Sequence, residues 1–325
     1  MAKELYIYPV MRTHLQERSL LSQSDIDEMA ASKNVAGVYQ VLQEKGWSQA
    51  GVQDAQALIA AQQKHTWAFV EEALGDLTPF DVFRYANDYH NLKAAIKMYY
   101  SGESEAYAGR YLIQNGTIDP AVIQKAVKEH DYSALPARMA QAGKEAYEVL
   151  AQTGNGQNCD MIMDRAALIA IHEAGENAES RLLKEYARIT VDCANIKAAI
   201  RCCLMKKERG FIERAVAPCG TLDTSALVDA AAQSIETVYE FLKMSAYAEA
   251  IGHLKRSMAA FERWCDDRMI DMIRPQKNNF YTIEPLAAYI LARENEIRMV
   301  KLILSAKING LSTDALKERL REMYV

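Results

Sequence analysis

Apolar residues recur at three- and four-residue spacing along nearly the whole chain. Val35, Val38, Tyr39 and Leu42 form one stripe, and Leu182, Leu183, Tyr186 and Ile189 open another that continues through Cys193, Ile196, Ile200 and Leu204. Leu286, Tyr289, Ile290, Ile297, Val300 and Leu304 define a third. This period marks amphipathic helices, because strand side chains would alternate with a period of two. Glycine (15) and proline (7) are scarce, and valine and isoleucine rarely alternate with polar residues. The pattern predicts an all-α chain of about fifteen helices with no sheet.

Helix ends are legible as well. Thr78-Pro79 and Asp119-Pro120 each place a capping oxygen before a proline suited to the first helical position. Asn115-Gly116 and Asn309-Gly310 tolerate the left-handed conformation with which helices end. The segment from Thr153 to Asn158, Thr-Gly-Asn-Gly-Gln-Asn, is the most loop-like of all.

Composition narrows the class. Half of the 325 residues are hydrophobic and a quarter charged, the balance of a folded, soluble protein. The longest uncharged apolar stretch, Pro285 to Ala292, falls far short of the roughly 18 residues of a membrane span. The opening Met-Ala-Lys-Glu-Leu-Tyr has no basic region followed by an apolar core, so no secretory signal is expected. A net charge of −5 argues against nucleic acid as a partner, which calls for a basic stripe. The six cysteines are scattered with no C-x-x-C, which suits reduced thiols in the cytosol and no structural zinc.

The most informative feature is an internal repeat. Asp88-Tyr-His-Asn-Leu-Lys-Ala-Ala-Ile-Lys97 returns as Asp192-Cys-Ala-Asn-Ile-Lys-Ala-Ala-Ile-Arg201, an offset of 104 residues with six of ten positions identical. A further 104 residues along, Glu296, Val300, Lys301 and Leu304 keep the acid, the lysine and the apolar spacing, while Met299 replaces the asparagine. Gly116-Thr-Ile-Asp119 and Gly220-Thr-Leu-Asp223 share the same 104-residue offset. A period this long is domain-sized, not the 20–50 residues of a solenoid. It predicts three similar helical units, 1–103, 104–207 and 208–325, in a pseudo-threefold arrangement.

The residues singled out are those of the repeat: Asp88, Asn91, Lys93, Asp192, Asn195, Lys197, Glu296 and Lys301. At 100° per residue, Leu92, Ala95, Ile96 and Tyr99 share one helix face with Asp88 and Asn91 at its edge, while Lys93 and Lys97 turn away. A carboxylate and an amide beside a buried stripe must find hydrogen bonds, because an unsatisfied buried polar group costs roughly 1–3 kcal/mol. Two readings are open: these residues cross-link helices within each unit, or they face a partner subunit.

Signatures of catalysis are missing. The chain has no phosphate-binding G-x-x-x-x-G-K-[ST], no H-E-x-x-H, no G-x-S-x-G elbow and no dinucleotide fingerprint. His90 becomes Ala194 in the second copy, so no repeated catalytic role follows from it. Asp266-Asp267 and Glu71-Glu72 point about 100° apart on a helix, as solvated surface residues do. Trp47, Trp67 and Trp264 suit core or interface anchoring. No catalytic residue, cofactor or metal ligand is expected.

Several of these segments resemble a known family. They are Glu17-Arg-Ser-Leu-Leu-Ser22 with Asp25-Ile-Asp-Glu-Met29, the signature at Asp88 and its copy at Asp192, and Glu294 to Gly310 with Glu318 to Val325. On them the chain is similar to the C subunit of bacterial and archaeal V-type (A/V-type) ATPases and ATP synthases, equivalent to the d subunit of vacuolar ATPases. Met299 departs from the asparagine usual there. The resemblance implies three helical bundles arranged as a funnel on the cytoplasmic face of the membrane, peripheral to it. It implies a non-catalytic rotor subunit whose partners are the central-shaft subunits and the membrane proteolipid ring, with no small-molecule substrate. Torque would pass between shaft and ring during ATP-driven ion (proton or sodium) transport or ion-driven ATP synthesis. A free-standing helical scaffold for soluble proteins is the alternative.

Overall fold

The computed structural model describes residues 6–47, 54–103 and 111–325. Among these residues there is no strand, and the chain is carried by α-helices, as the apolar period predicts, with short 3-10 turns at Glu17–Ser19, Thr78–Phe80 and Arg274–Asn278. The helices are α1 (Ile7–Gln16), α2 (Gln23–Ala31), α3 (Val35–Glu44), α4 (Ala55–Leu74), α5 (Asp81–Ser101), α6 (Pro120–Glu129), α7 (Ala137–Thr153) and α8 (Gly156–Asn177). They continue as α9 (Arg181–Leu204), α10 (Arg209–Ala215), α11 (Thr224–Gln233), α12 (Ile235–Lys243), α13 (Ala250–Arg256), α14 (Met258–Ile273), α15 (Glu284–Ile308) and α16 (Thr313–Lys317).

Capping explains most of the starts. Asp119 accepts from the Ala121 amide with Pro120 at the first turn of α6. Asn34, Asp54, Ser180, Asp223 and Ser257 cap α3, α4, α9, α11 and α14 in the same way. Two expectations are corrected. Thr78-Pro79 lies in a 3-10 turn, and α5 proper starts at Asp81 without a side-chain cap. The loop expected over 153–158 shrinks to a two-residue joint: Gly154 turns left-handed (φ 63°) to end α7, and Asn155 caps α8 at once.

The chain packs as two compact units. One combines residues 1–77 with 252–325. Its central element is α15, buried on almost every side and packed against α1, α2, α3, α4 and α14. The apolar run Pro285–Ala292 is wholly buried there, so its hydrophobicity serves a core helix. Ile297, Val300, Ile303 and Leu304 meet Leu21, Ile26, Met29, Val38, Leu42 and Leu58, so segments far apart in sequence share one core. Full burial of each such side chain is worth about 1.5–3 kcal/mol. No helix is long and apolar enough to cross a membrane among the described residues.

The second unit covers residues 78–251. Its core joins Tyr89, Leu92 and Ile96 of α5 to Ile123 and Val127 of α6, Met139 and Leu150 of α7, and Cys159 and Met163 of α8. This core therefore draws on helices both before and after the expected boundary between the first two repeat units. Helix α9 lies along α8 and carries α10, α11 and α12.

One sequence register recurs in both units. The long helices α5, α9 and α15 end at left-handed residues, Gly102 (φ 68°), Lys206 (φ 53°) and Gly310 (φ 66°). Each stands fourteen residues beyond its signature acid, Asp88, Asp192 or Glu296. Gly116, by contrast, ends no helix and is not left-handed; its role is close approach to Asp88.

Candidate functional site

The two asparagine signatures form the same clamp. Asp88 and Asn91 sit one turn apart on α5, both buried. Asp88 Oδ1 accepts from the Thr117 amide at 2.9 Å and the Ile118 amide at 3.2 Å, and Oδ2 from the Thr117 hydroxyl at 2.6 Å. The Asn91 amide group donates to the Ile113 carbonyl and accepts from the Ile113 amide, both at 2.8 Å. On α9, Asp192 takes the Thr221 amide at 2.8 Å, the Leu222 amide at 3.4 Å, the Thr221 hydroxyl and the Tyr247 hydroxyl at 2.9 Å. Asn195 donates to the carbonyls of Ala217 and Cys219 and accepts from the Ala217 amide at 2.8 Å.

The repeated spacing of the Gly-Thr pair follows from this geometry. A Cβ on Gly116 would stand 2.1 Å from Asp88 Oδ1, and one on Gly220 would stand 2.2 Å from Asp192 Oδ1. Only glycine lets the backbone come close enough for the next amide and hydroxyl to reach the carboxylate. Burial pushes the Asp88 carboxyl up, and the donors of Thr117 and Ile118 oppose that shift.

The third copy is rebuilt with other chemistry. Met299 Sδ accepts the Arg321 amide at 3.3 Å. Glu296 accepts from the Leu21 amide, just before α2, and from Arg293 Nη1 at 2.7 Å. Arg293 is itself buried and donates to the Tyr289 hydroxyl at 3.3 Å and the Ser19 hydroxyl at 2.9 Å. With the Gln62 amide oxygen turned toward it, Arg293 also has an acceptor at 3.1 Å. The short spacing to Glu296 on one helix face is the only sequence signal for Arg293, and the apolar run around it hides that signal.

The signature lysines are not buried with the acids. Lys93 pairs with Asp164 at 2.6 Å and Lys97 with Asp160 at 2.5 Å, both linking α5 to α8. Lys197 is half-buried on α9, and Lys301 is exposed on α15.

Groups considered for chemistry are occupied structurally. Asp266 receives Arg298 and Arg321, Asp267 receives the Glu322 amide at 2.8 Å, and Glu72 pairs with Arg12 at 3.0 Å. His90 Nε2 lies 2.9 Å from the Tyr111 carbonyl oxygen. Trp47 and Trp67 are buried, and Trp264 stacks on Phe261 with 6.0 Å between ring centroids. No cluster of three or more metal-binding side chains occurs among the described residues.

What α5, α9 and α15 present outward also repeats. Tyr100, Leu204 and Ile308 are 47%, 65% and 67% exposed, each one turn or less before its helix ends. They share one register, twelve residues past the signature acid, and all are large and apolar. The 104-residue period contained this correspondence, but periodicity cannot tell an exposed apolar position from a core one.

Comparison with known proteins agrees with the whole-chain character of these features. The C subunit of the V-type sodium ATPase of Enterococcus hirae is 20% identical, over 95% of this chain and 96% of the relative. The C subunit of the A-type ATP synthase of Thermococcus kodakarensis is 22% identical, over 98% of this chain and 91% of the relative. That of Haloferax volcanii is 25% identical over 72% of this chain and 70% of the relative. The sequence profile of the ATP synthase (C/AC39) subunit family matches residues 10–319, and the chain belongs to that family.

Proposed function

We propose that this chain is a non-catalytic central-stalk rotor subunit of a V-type ATPase or ATP synthase. It forms a socket between the rotating shaft and the membrane proteolipid ring and hands torque from one to the other. It lies against the cytoplasmic face of the membrane through those contacts, without a span of its own. Three related 104-residue units make the socket, and the repeat signatures act as internal clamps, leaving the partners to other surfaces.

The observation that carries this reading is the shared register of α5, α9 and α15. Buried clamps fix each long helix to a neighbouring segment, so force on one is transmitted without slack, as close-packed interiors of low compressibility allow. Beyond the clamps, Tyr100, Leu204 and Ile308 stay exposed at equivalent positions. Repeated apolar helix ends suit docking to a partner that is itself built from repeated copies.

Deletion of the subunit tests the reading. ATP hydrolysis should persist in the detached head, while ATP-driven ion uptake by membrane vesicles should disappear. Normal uptake in the deletion strain rules out coupling. Recovery of the tagged chain with soluble proteins but without shaft or ring subunits favours the scaffold instead.

A further inference from the structure

A groove between α7 and α8 takes no part in the clamps or the exposed helix ends. Its volume is about 330 Å³, at the small end of the roughly 300–1,000 Å³ of ligand sites. Arg138 and Glu145 of α7, Arg165 of α8 and Arg214 of α10 line it, together with an apolar wall that includes Ile162 and Ile169.

The charges of this groove are not balanced among the described residues. Arg138 is neutralised by Glu173. Arg165 has no carboxylate partner among the described residues, and its Nε is buried without an acceptor. Among the described residues Arg214, exposed on α10, meets only the Phe211 ring, 5.9 Å from its guanidinium carbon to the ring centroid. An orphaned buried donor costs about 1–3 kcal/mol, more on a charged group, and an oxyanion removes that cost. Guanidinium groups match carboxylates and phosphates in geometry. The apolar wall and the exposed Glu145 choose between the two. A dianionic phosphate would leave the wall unused and meet Glu145 with twice the repulsion of a singly charged carboxylate.

We propose that this groove binds an acidic, aliphatic peptide segment of a partner protein, with a carboxylate held by Arg165 and Arg214 and a neighbouring aliphatic side chain on Ile162 and Ile169. The site stands apart from the rotor reading, and its test uses the isolated full-length chain.

Fluorescence anisotropy with a fluorescein-labelled decapeptide alternating glutamate and leucine, at low salt, measures the binding. Saturable binding is expected, weakened about tenfold by Arg165→Met and about tenfold by Arg214→Met. The glutamine–leucine analogue should not bind. Melting curves should show both variants folded, and the exposed position of Arg214 keeps the test valid even if Arg165→Met unfolds. Equal binding by the wild type and Arg214→Met, or equal binding of the glutamine analogue, overturns the proposal. So does displacement of the peptide by inorganic phosphate at low millimolar concentration, which would assign the groove to a free oxyanion.

Discussion

The thioether sulfur of Met299 receives the backbone amide of Arg321 at 3.3 Å, 22 residues along the chain. Asn91 with Ile113 and Asn195 with Ala217 make the corresponding contact at the same separation. Sulfur is a weak acceptor, so the third copy keeps the contact and loses the donor half of the asparagine clamp. Met299→Leu nearly conserves volume but orphans the Arg321 amide, and should cost about 1 kcal/mol in urea unfolding. Met299→Asn should recover part of that loss. An unchanged midpoint for Met299→Leu would mean that the sulfur contact contributes nothing.

Gly116 and Gly220 are expected to be intolerant for the same reason. Gly116→Ala should destabilise by about 2–4 kcal/mol, since the new Cβ falls on Asp88. Gly220→Ala should cost more, because Gly220 also sits at φ +107°. In a double-mutant cycle with Asp88→Ser, the Gly116→Ala penalty should shrink by about 1 kcal/mol or more. Strict additivity would show that the clash lies elsewhere.

Lys206 occupies the left-handed position that glycine fills at 102 and 310. An L-residue with a Cβ is strained there, so Lys206→Gly should raise stability by about 0.5–1 kcal/mol. A matched pair of thermal melts checks it, and a fall in midpoint would contradict the strain.

Burial pushes the Glu296 carboxyl up to about 7 from an ordinary 4.5, against the opposing pull of Arg293 and the Leu21 amide. Between those values the folded chain holds the proton more tightly than the unfolded chain. Stability from this group is therefore complete below pH 4.5 and is lost as pH rises toward about 7. Glu296→Gln cannot titrate, so the stability of the wild type minus that of the variant should fall over this interval. A difference that stays flat, or rises, refutes the shift.

Serine at Tyr100, Leu204 and Ile308 together should leave the unfolding midpoint nearly unchanged, since exposed substitutions move stability by only about 0.5 kcal/mol. Retention of the chain on ATPase-containing membranes should drop. Wild-type retention would remove these helix ends from the docking surface while leaving the coupling role to be tested by ion uptake.

The helical class, the 104-residue register and the family were all legible in the amino-acid order, because each is written in local or periodic features. A 3.6-residue apolar period needs no knowledge of neighbours, and Asp119-Pro120 is read from adjacent positions. The same reading marked Asp88, Asn91, Asp192 and Asn195 as polar groups at the edge of an apolar stripe, without showing what meets them.

Partners emerged from packing alone. Glu296 finds the Leu21 amide 275 residues away, Asp192 finds Tyr247, and Arg293 is buried among Glu296, Tyr289 and Ser19. The same period that buries Leu304 exposes Ile308 one turn later, where the neighbouring helices no longer cover α15. Hydrogen-bond satisfaction and exposure depend on which segments pack together, and that is a property of the folded chain, not of spacing along it.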